Sequence, residues 1–496
     1  MLSLRPENGP MRQPLERARS TIRAFSQLSI LLLATLLMAC PSYTDEVADA
    51  HRSVIHGDAD SAVSLINGQL DVDSIQEVPD KIEKNNTLLL LERATIMQGQ
   101  GRFDLSARDM MIVDQRLEWL DIDRAAARDV GKYLYSDDVT NYKAPPYERL
   151  LLNTLNMINF LATHDLESAR VEARRFLIME SFYLDDQGKA LLPGLLALGS
   201  YLAGATFEAS REYDEAARHY SRAWLYGIRD ENLRVRLLDL YRISGYSGAG
   251  VDSPFFVRLR EDARAAGPMT WDEYRDKHQR GDTLVIAQFG VVPYKQATRV
   301  GANQALTIAS TRSMDPSTRA QATSMVASGA LNSINFPQLT RQGLPMRDGG
   351  SAAVRIDDQR IGLFEGMDVG RSVEIAWLEI AGPLMAAAIT RAITRAALGQ
   401  GTRAAGAAAA QSDNSTTATL GVLGWLVGLG AEAALSAADT PDTRSWTTLP
   451  EHIRLSRIKL PQGMHTAEIR VGSRTDRQTV PVWEDKLNII NFSKVR

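Results

Sequence analysis

The side chains from which this chain could build a nucleophile, a metal site or an acid–base pair are one cysteine, Cys40, seven histidines and 60 acidic residues. The histidines form no HExxH pair, and no Cys/His cluster has zinc spacing. No GxxxxGK[ST] loop is present to cradle a phosphate. Gly399-Gln400-Gly401 opens a glycine pattern, but it follows a predicted helix rather than a strand and so lacks the setting of a dinucleotide fingerprint. Gly245-Tyr246-Ser247-Gly248-Ala249 departs from the nucleophile-elbow pattern at its last position. Asp185/Asp186 and Asp357/Asp358 are adjacent carboxylates, which in a strand point to opposite faces. Glycoside hydrolysis needs two that converge, so a cell-wall hydrolase stays open only through residues brought together by the fold. The expectation is a protein that is not an enzyme, with no catalytic, cofactor-binding or metal-binding residue.

Cys40 is placed for a different chemistry. Residues 27–39 read QLSILLLATLLMA, and Arg12, Arg17, Arg19 and Arg23 lie upstream. A basic segment, an apolar run and small residues before a cut make a secretory signal peptide. The run is short for a bilayer span, which needs about 20 residues. Leu37, Met38, Ala39 and Cys40 resemble a bacterial lipobox. That resemblance implies lipidation of the thiol, cleavage before Cys40, and anchoring of the mature chain by acyl chains worth about 0.8 kcal/mol per buried CH₂. It also implies a Gram-negative cell envelope, with the protein facing the periplasm. Pro41 and Ser42, rather than an aspartate, follow the cysteine and favour the outer membrane.

The elements behind this anchor come from a chain of 496 residues, long enough for several domains. Net charge is -4, which supplies no basic footprint and excludes nucleic acid as the main partner. The expected organisation is a leader over 1–39, a tether over 40–48, a helical domain over 49–250, a helical linker over 251–281 and an α+β domain over 282–496. Within the helical domain, Gly204, Phe207, Tyr213, Ala216, Tyr220 and Ala223 recur at intervals of 3, 6, 3, 4 and 3, the tetratricopeptide (TPR) pattern. Small residues let two helices approach while aromatic ones fill the groove between them. Phe160, Leu166, Ala169 and Ala173 mark a second unit, and Gly101, Phe103 and Ala107 a weaker third. Ala169 and Ala216 are 47 residues apart rather than about 34, so the array is irregular. A generic helical bundle is the alternative. Arg170, Arg174 and Arg175 read as a solvated helix face, or as a contact for an acidic partner.

After the turn-rich GYSGAGVDSP (residues 245–254) the pattern changes. Thr283–Phe289, Ala353–Ile356, RLSRIKL, HTAEIRV, Val480–Trp483 and Leu487–Phe492 read as strands of a small antiparallel set. A helical insertion is expected over about 373–438. Its second part, residues 418–431, is uncharged and carries Gly424 and Gly428 at GxxxG spacing. It reads as a buried or helix-paired hairpin, or as a surface for membrane contact or self-association. The fold class is therefore α followed by α+β.

Asp442, Thr443, Arg444, Trp446, Leu449 and Pro450, with Gly290, Pro293 and Lys295 at a strand end, carry a resemblance over most of the chain. The sequence resembles a family of bacterial TPR-containing lipoproteins with a late Asp-Thr-Arg-x-Trp-x-x-Leu-Pro motif. Genes of that family often neighbour a lipoprotein activator of penicillin-binding proteins, which implies work on the envelope or on peptidoglycan. LPQGMHTAEIRV also resembles a PEGA-type envelope β module. The implied function is a protein-binding scaffold or regulator in an envelope complex, and the alternative is a self-assembling or secretion-accessory lipoprotein. From the residues themselves, Trp446 offers an apolar face with one N–H donor, and Arg444 a partner for a carboxylate. They suit a corner lock between helices and sheet, or else a ligand site.

Overall fold

The structure, a computed structural model, describes residues 43–116, 142, 144–186, 188–246, 253–309, 314–341, 352–410 and 441–494. The lipobox with Cys40 and the apolar segment 418–431 lie outside the described residues.

The first part is helical: α1 (Ala48–His56), α2 (Ala59–Leu70), α3 (Asn86–Gly99), α4 (Phe103–Arg116), α5 (Pro146–Ala162), α6 (Leu166–Glu180), α7 (Pro193–Ala209), α8 (Tyr213–Tyr226), α9 (Glu231–Ser244) and α10 (Pro254–Ala266). The pairs α3/α4, α5/α6 and α7/α8 are each joined by three residues, and their turns close in one way. The central residue, Gly101, His164 or Arg211, has left-handed backbone with φ of 74°, 59° and 63°. The next residue donates its N–H five positions back: Arg102 to Met97 at 2.9 Å, Asp165 to Phe160 at 2.8 Å, and Glu212 to Phe207 at 2.8 Å. These bonds satisfy carbonyls that the helix end would leave bare. The α1/α2 turn closes likewise through Gly57 (φ 83°), with Asp58 donating to Ser53 at 2.9 Å.

Counted from these turns, the predicted packing positions fall into register. A Cβ on Gly204 would lie 2.5 Å from the Tyr220 ring, so α7 and α8 touch there through bare backbone. Ala216 and Ala223 are fully buried, and Phe207 stacks on His219 at 5.1 Å. The third unit is one residue off its prediction. Ser106, not Ala107, takes the place of Ala169 and Ala216, and its hydroxyl donates to the Ala94 carbonyl at 2.8 Å. The turn centres at 101, 164 and 211 confirm unequal spacing.

Two boundaries need correction. The predicted tether over 40–48 is already helical at Tyr43–Glu46, and α1 starts at Ala48. Tyr43, Val47, Ala50 and Val54 recur at helical spacing and are buried. Residues 253–281 are not a spacer either: Phe256, Leu259 and Tyr274 belong to the core that α1–α9 share with the first sheet.

The β part comprises β1 (Asp282–Phe289), β2 (Tyr294–Gly301), β3 (Ser333–Thr340), β4 (Ala352–Ile356), β5 (Gln359–Ile361), β6 (Phe364–Asp368), β7 (His452–Lys459), β8 (Gly463–Val471), β9 (Arg474–Val482) and β10 (Asn488–Lys494). One sheet has the order β10-β1-β7-β6, the other β5-β4-β8-β9, and β2–β3 form a separate ribbon. The set is not purely antiparallel, because β10 crosses from the second sheet to pair parallel with β1. Every residue of β1 is buried. Leu284 and Ile286 face the helices, while Val285, Ala287 and Phe289 meet Val354, Ile469 and Val471 of the second sheet. Hence its burial on both faces: the strand is sandwiched between two layers. Asp357 and Asp358 form the two-residue turn between β4 and β5, with φ of 45° and 66°, rather than part of a strand.

The inserted helix, α13 (Val369–Ala410), follows α11 (Ala302–Ile308) and α12 (Pro316–Ala327). Its Val369–Thr394 stretch is long and apolar enough to cross a membrane by length and composition, yet over half of its most apolar window is buried within the protein. Trp377, Leu384, Met385 and Ile389 pack with Ala305, Ala322 and Phe336 of α11, α12 and β3.

The α7–α8 contact gives a direct test. Gly204→Ala must push against a Tyr220 ring that meets Tyr201 edge-on at 5.4 Å and is tied through its hydroxyl to Glu208, an overpacking cost of about 1–3 kcal/mol. That exceeds the gain of up to about 1 kcal/mol from better helix propensity. Urea denaturation of the variant should show net destabilisation; equal or greater stability would mean that the helices do not touch as described.

Candidate functional site

Residues 290–295 and 444–451, about 150 positions apart in sequence, run side by side. Val292 donates its N–H to the Leu449 carbonyl at 3.2 Å, and Lys295 Nζ donates to the Arg444 carbonyl at 2.9 Å. At Gly290 (φ 74°) a Cβ would stand 2.8 Å from Glu451 Cβ, so only glycine permits this approach. The two segments that carry the family resemblance are thus one structural feature. Lys295 is buried, with its ammonium 5.5 Å from the Trp377 ring. Burial pulls its pKa down, against the opposing pull of Asp442 and Glu148.

The paired segments plug into the helical array. Arg444 forms a two-pronged ion pair with Asp442, both bonds at 2.9 Å, and stands 5.7 Å from the Tyr142 ring. Trp446 is buried and donates its indole N–H to Thr95 Oγ1 at 2.9 Å and its backbone N–H to Glu148 Oε1 at 3.1 Å. Thr447 and Thr448 each donate a backbone N–H to the Glu92 carboxylate at 2.7 Å, and the Thr447 hydroxyl adds a bond at 2.8 Å. Leu449 and Pro450 are buried below. The motif therefore wraps a carboxylate of the protein itself, in the manner of a backbone anion nest. Tyr142 donates its hydroxyl to Glu148. On the outer side, Thr44 Oγ1 donates to the Lys295 carbonyl at 2.9 Å, which ties the start of the described chain to the lock.

Both carboxylates are perturbed by this setting. Burial raises the pKa of Glu92 despite the three bonds its carboxylate accepts from Thr447 and Thr448. Burial, offset by Tyr142, Lys295 and Trp446 and aided by Glu92, pushes Glu148 up to about 7. Nearby His51 is driven down to about 4 by burial, so its ring is neutral at pH 7.

A second charged cluster lies at the other end of the seam between helices and sheet. Glu208 (α7), Arg236 (α9), Asp282 (β1) and Arg457 (β7) are all buried. Arg457 bonds Asp282 at 2.9 Å and Glu208 at 3.1 Å, and Arg236 pairs with both acids. Tyr220 and Tyr274 donate to Glu208 at 2.8 and 2.6 Å. Burial alone would raise the Glu208 pKa, but Arg236 and Arg457 overcome it and hold the carboxyl at about 2. A third link is an amide ladder. Gln288 of β1 donates to Gln98 at 2.9 Å and to Asn491 at 2.9 Å, and Gln98 donates to Asn159 at 2.8 Å.

Two clefts of about 470 Å³ each flank the seam, where turns of the array meet the edges of the sheets. One takes in Gly57, Gly101, Arg474 and Thr448; the other takes in His164, Arg211, Trp271 and Lys486 above the Glu208 cluster.

The structure thus brings Asp442, Thr443, Arg444, Trp446, Leu449 and Pro450 to one lock, and Gly204, Phe207, Tyr213, Ala216, Tyr220 and Ala223 to one hairpin. Sequence reasoning missed Glu92, Glu148, Glu208, Arg236, Asp282 and Arg457. The signal for two of them was present: Glu92 interrupts LLLLERATIM, and Asp282 heads TLVIAQF. A charge inside a run destined for burial must find a partner. The chain matches no known family model and no curated protein.

Two measurements follow from this geometry. The folded pKa of Glu148 is raised above its ordinary 4.5, so its contribution to stability is complete below that value and is lost as pH rises through about 7. Glu148→Gln, neutral throughout, should flatten thermal stability between pH 4.5 and 7, where only the folded form holds the proton, and leave the variant the more stable form at pH 8. An unchanged pH profile would exclude Glu148 as the titrating group. Arg457→Met leaves Glu208 and Asp282 short of donors and should cost about 3–5 kcal/mol in equilibrium unfolding.

Proposed function

We propose that this protein is a lipid-anchored, non-enzymatic scaffold of the bacterial cell envelope. In this reading it is held at the outer membrane through Cys40, faces the periplasm and binds a protein partner on its helical array. The observation that carries the reading is the position of Tyr43. The described body begins there, three residues after the lipobox cysteine, and Tyr43 is already buried in the lock with its hydroxyl 3.4 Å from Glu92. Three residues span at most about 11 Å, so acyl chains on Cys40 hold the lock end of the body close to the bilayer with little slack.

The array supplies the binding surface. Recurrent left-handed turns and the aromatic-on-glycine contact of Tyr220 with Gly204 support a TPR-like reading of its hairpins. Stacked hairpins of this kind hold partner segments on concave faces. The Asp442–Pro450 motif supports a scaffold rather than catalysis, because Trp446, Thr447 and Thr448 spend their donors on Glu92 and Glu148. The resemblance to TPR-containing lipoproteins directs the search for the partner towards peptidoglycan synthesis. Self-association through 418–431 is the competing outcome.

Cys40→Ser tests the anchor. The substituted protein should leave the membrane fraction and appear in the soluble one, whereas persistent membrane association would overturn the lipid-anchor reading. In-cell crosslinking of the native form then identifies the partner: a reproducible envelope protein supports the scaffold, and capture of this chain alone favours self-assembly.

A further inference from the structure

The hairpin turns of the array differ in what they place at the two clefts. Gly57 and Gly101 line one, and His164 and Arg211 line the other. All four have left-handed backbone. Glycine adopts that conformation freely, while a residue with a Cβ is strained in it. Strain of this kind persists where a side chain has a task.

Arg211 stands with its guanidinium 4.8 Å from the Trp271 ring centre and forms no ion pair with a carboxylate among the described residues. Lys486, in the same cleft, has its ammonium 5.7 Å from the Trp483 ring and likewise lacks a carboxylate partner there. Trp483 is itself braced edge-on by His164 at 5.2 Å. An indole face holds a cation in place without consuming its N–H donors. The other cations of the cleft are engaged: Arg275 by Asp272, Arg280 by Asp276 and Glu484, and Arg457 by Glu208 and Asp282. Of the acids that line it, Glu208 and Asp282 are held by Arg457 and Glu484 by Arg280 at 3.2 Å, which leaves Asp485 at the rim beside Lys486. A volume of about 470 Å³ is within the usual range for small-molecule sites.

We propose that this cleft binds an oxyanion-bearing ligand, with Arg211 and Lys486 receiving its carboxylate or phosphate and Trp271 bordering its remainder. The proposal rests on the cleft alone and does not depend on lipidation. Arg211 offers a planar fork suited to two oxygens, and Lys486 a second point charge.

The test is isothermal titration of the full chain with three probes: inorganic phosphate, trialanine with a free carboxylate, and the same tripeptide amidated. Saturable binding of phosphate or free trialanine, without binding of the amide, is expected, and the probe that binds identifies the oxyanion. Arg211→Gly should weaken that binding at least tenfold while the melting temperature holds or rises, because glycine is relaxed at φ 63°. Lys486→Ala should weaken it with no change in melting temperature. A purely structural Arg211 would give the reverse: a lower melting temperature and unchanged affinity. That result, equal binding of the amide, or no saturable binding of phosphate or free trialanine up to millimolar concentration would overturn the proposal. If Arg211→Gly lowers both affinity and melting temperature, Lys486→Ala decides: weakened binding sustains the site, and unchanged binding removes it.

Discussion

A buried carboxylate must be given donors, and the seam of this molecule is arranged around that requirement. Glu92 sits on a helix whose neighbours are leucines, where an unpaired charge would cost several kcal/mol. Its donors come from Thr447 and Thr448, more than 350 residues later. The same holds at the other end, where Glu208 on α7 is neutralised by Arg236 and by Arg457 of β7. The helical array and the sheet therefore each lack what the other supplies. Apolar contact alone would let the layers slide; hydrogen bonds to fixed donors define one register between them.

This dependence explains why the chain does not divide where its composition changes. The shift from helical periodicity to β-rich runs near residue 282 is real. A domain boundary, however, requires that few contacts cross it. Here the core of the array includes Leu284 and Ile286 of β1, with Trp446 and Leu449 of the motif. The polar ladder from Asn159 through Gln98 to Gln288 and Asn491 crosses the same line. The clefts at the two ends of the seam follow from this geometry, since rounded helical turns cannot fill the space beside a flat sheet edge.

What was legible in the sequence was local. The spacing of Gly204, Tyr213, Ala216 and Tyr220 located a hairpin because such packing repeats every helical turn. Alternation at Ala467, Ile469 and Val471 located β8, whose buried face they form. β2 (YKQATRVG) and β3 (SINFPQLT) were not legible, because their ribbon is half-exposed and shows little apolar alternation. The role of Asp442–Pro450 as a lock was one of two readings open at the start, and its receptor on α3 and α5 was invisible. Glu92 and Glu148 look like ordinary helix charges until the fold buries them. The register of the third hairpin slipped by one because Ser106 replaces the usual small apolar residue there, and a serine is recognised as a packing residue only through its bond to Ala94.

The same interdependence sets constraints on how the molecule reaches its fold. The hairpins α3/α4, α5/α6 and α7/α8 have short turns and local contacts, which form early and fast. Yet Glu92 and Glu208 stay without their strand partners until β1, the motif and β7 have arrived, and closing loops of that length is slow. An array formed ahead of the sheet would hold buried acids without their full set of donors, so it is not a stable resting state. Stability is thus concentrated at the last step, when the Thr447 and Thr448 amides close on Glu92 and Arg457 closes on Glu208. A chain built this way is cooperative across its apparent halves, and its helical surface becomes rigid only when its C-terminal strands are in place.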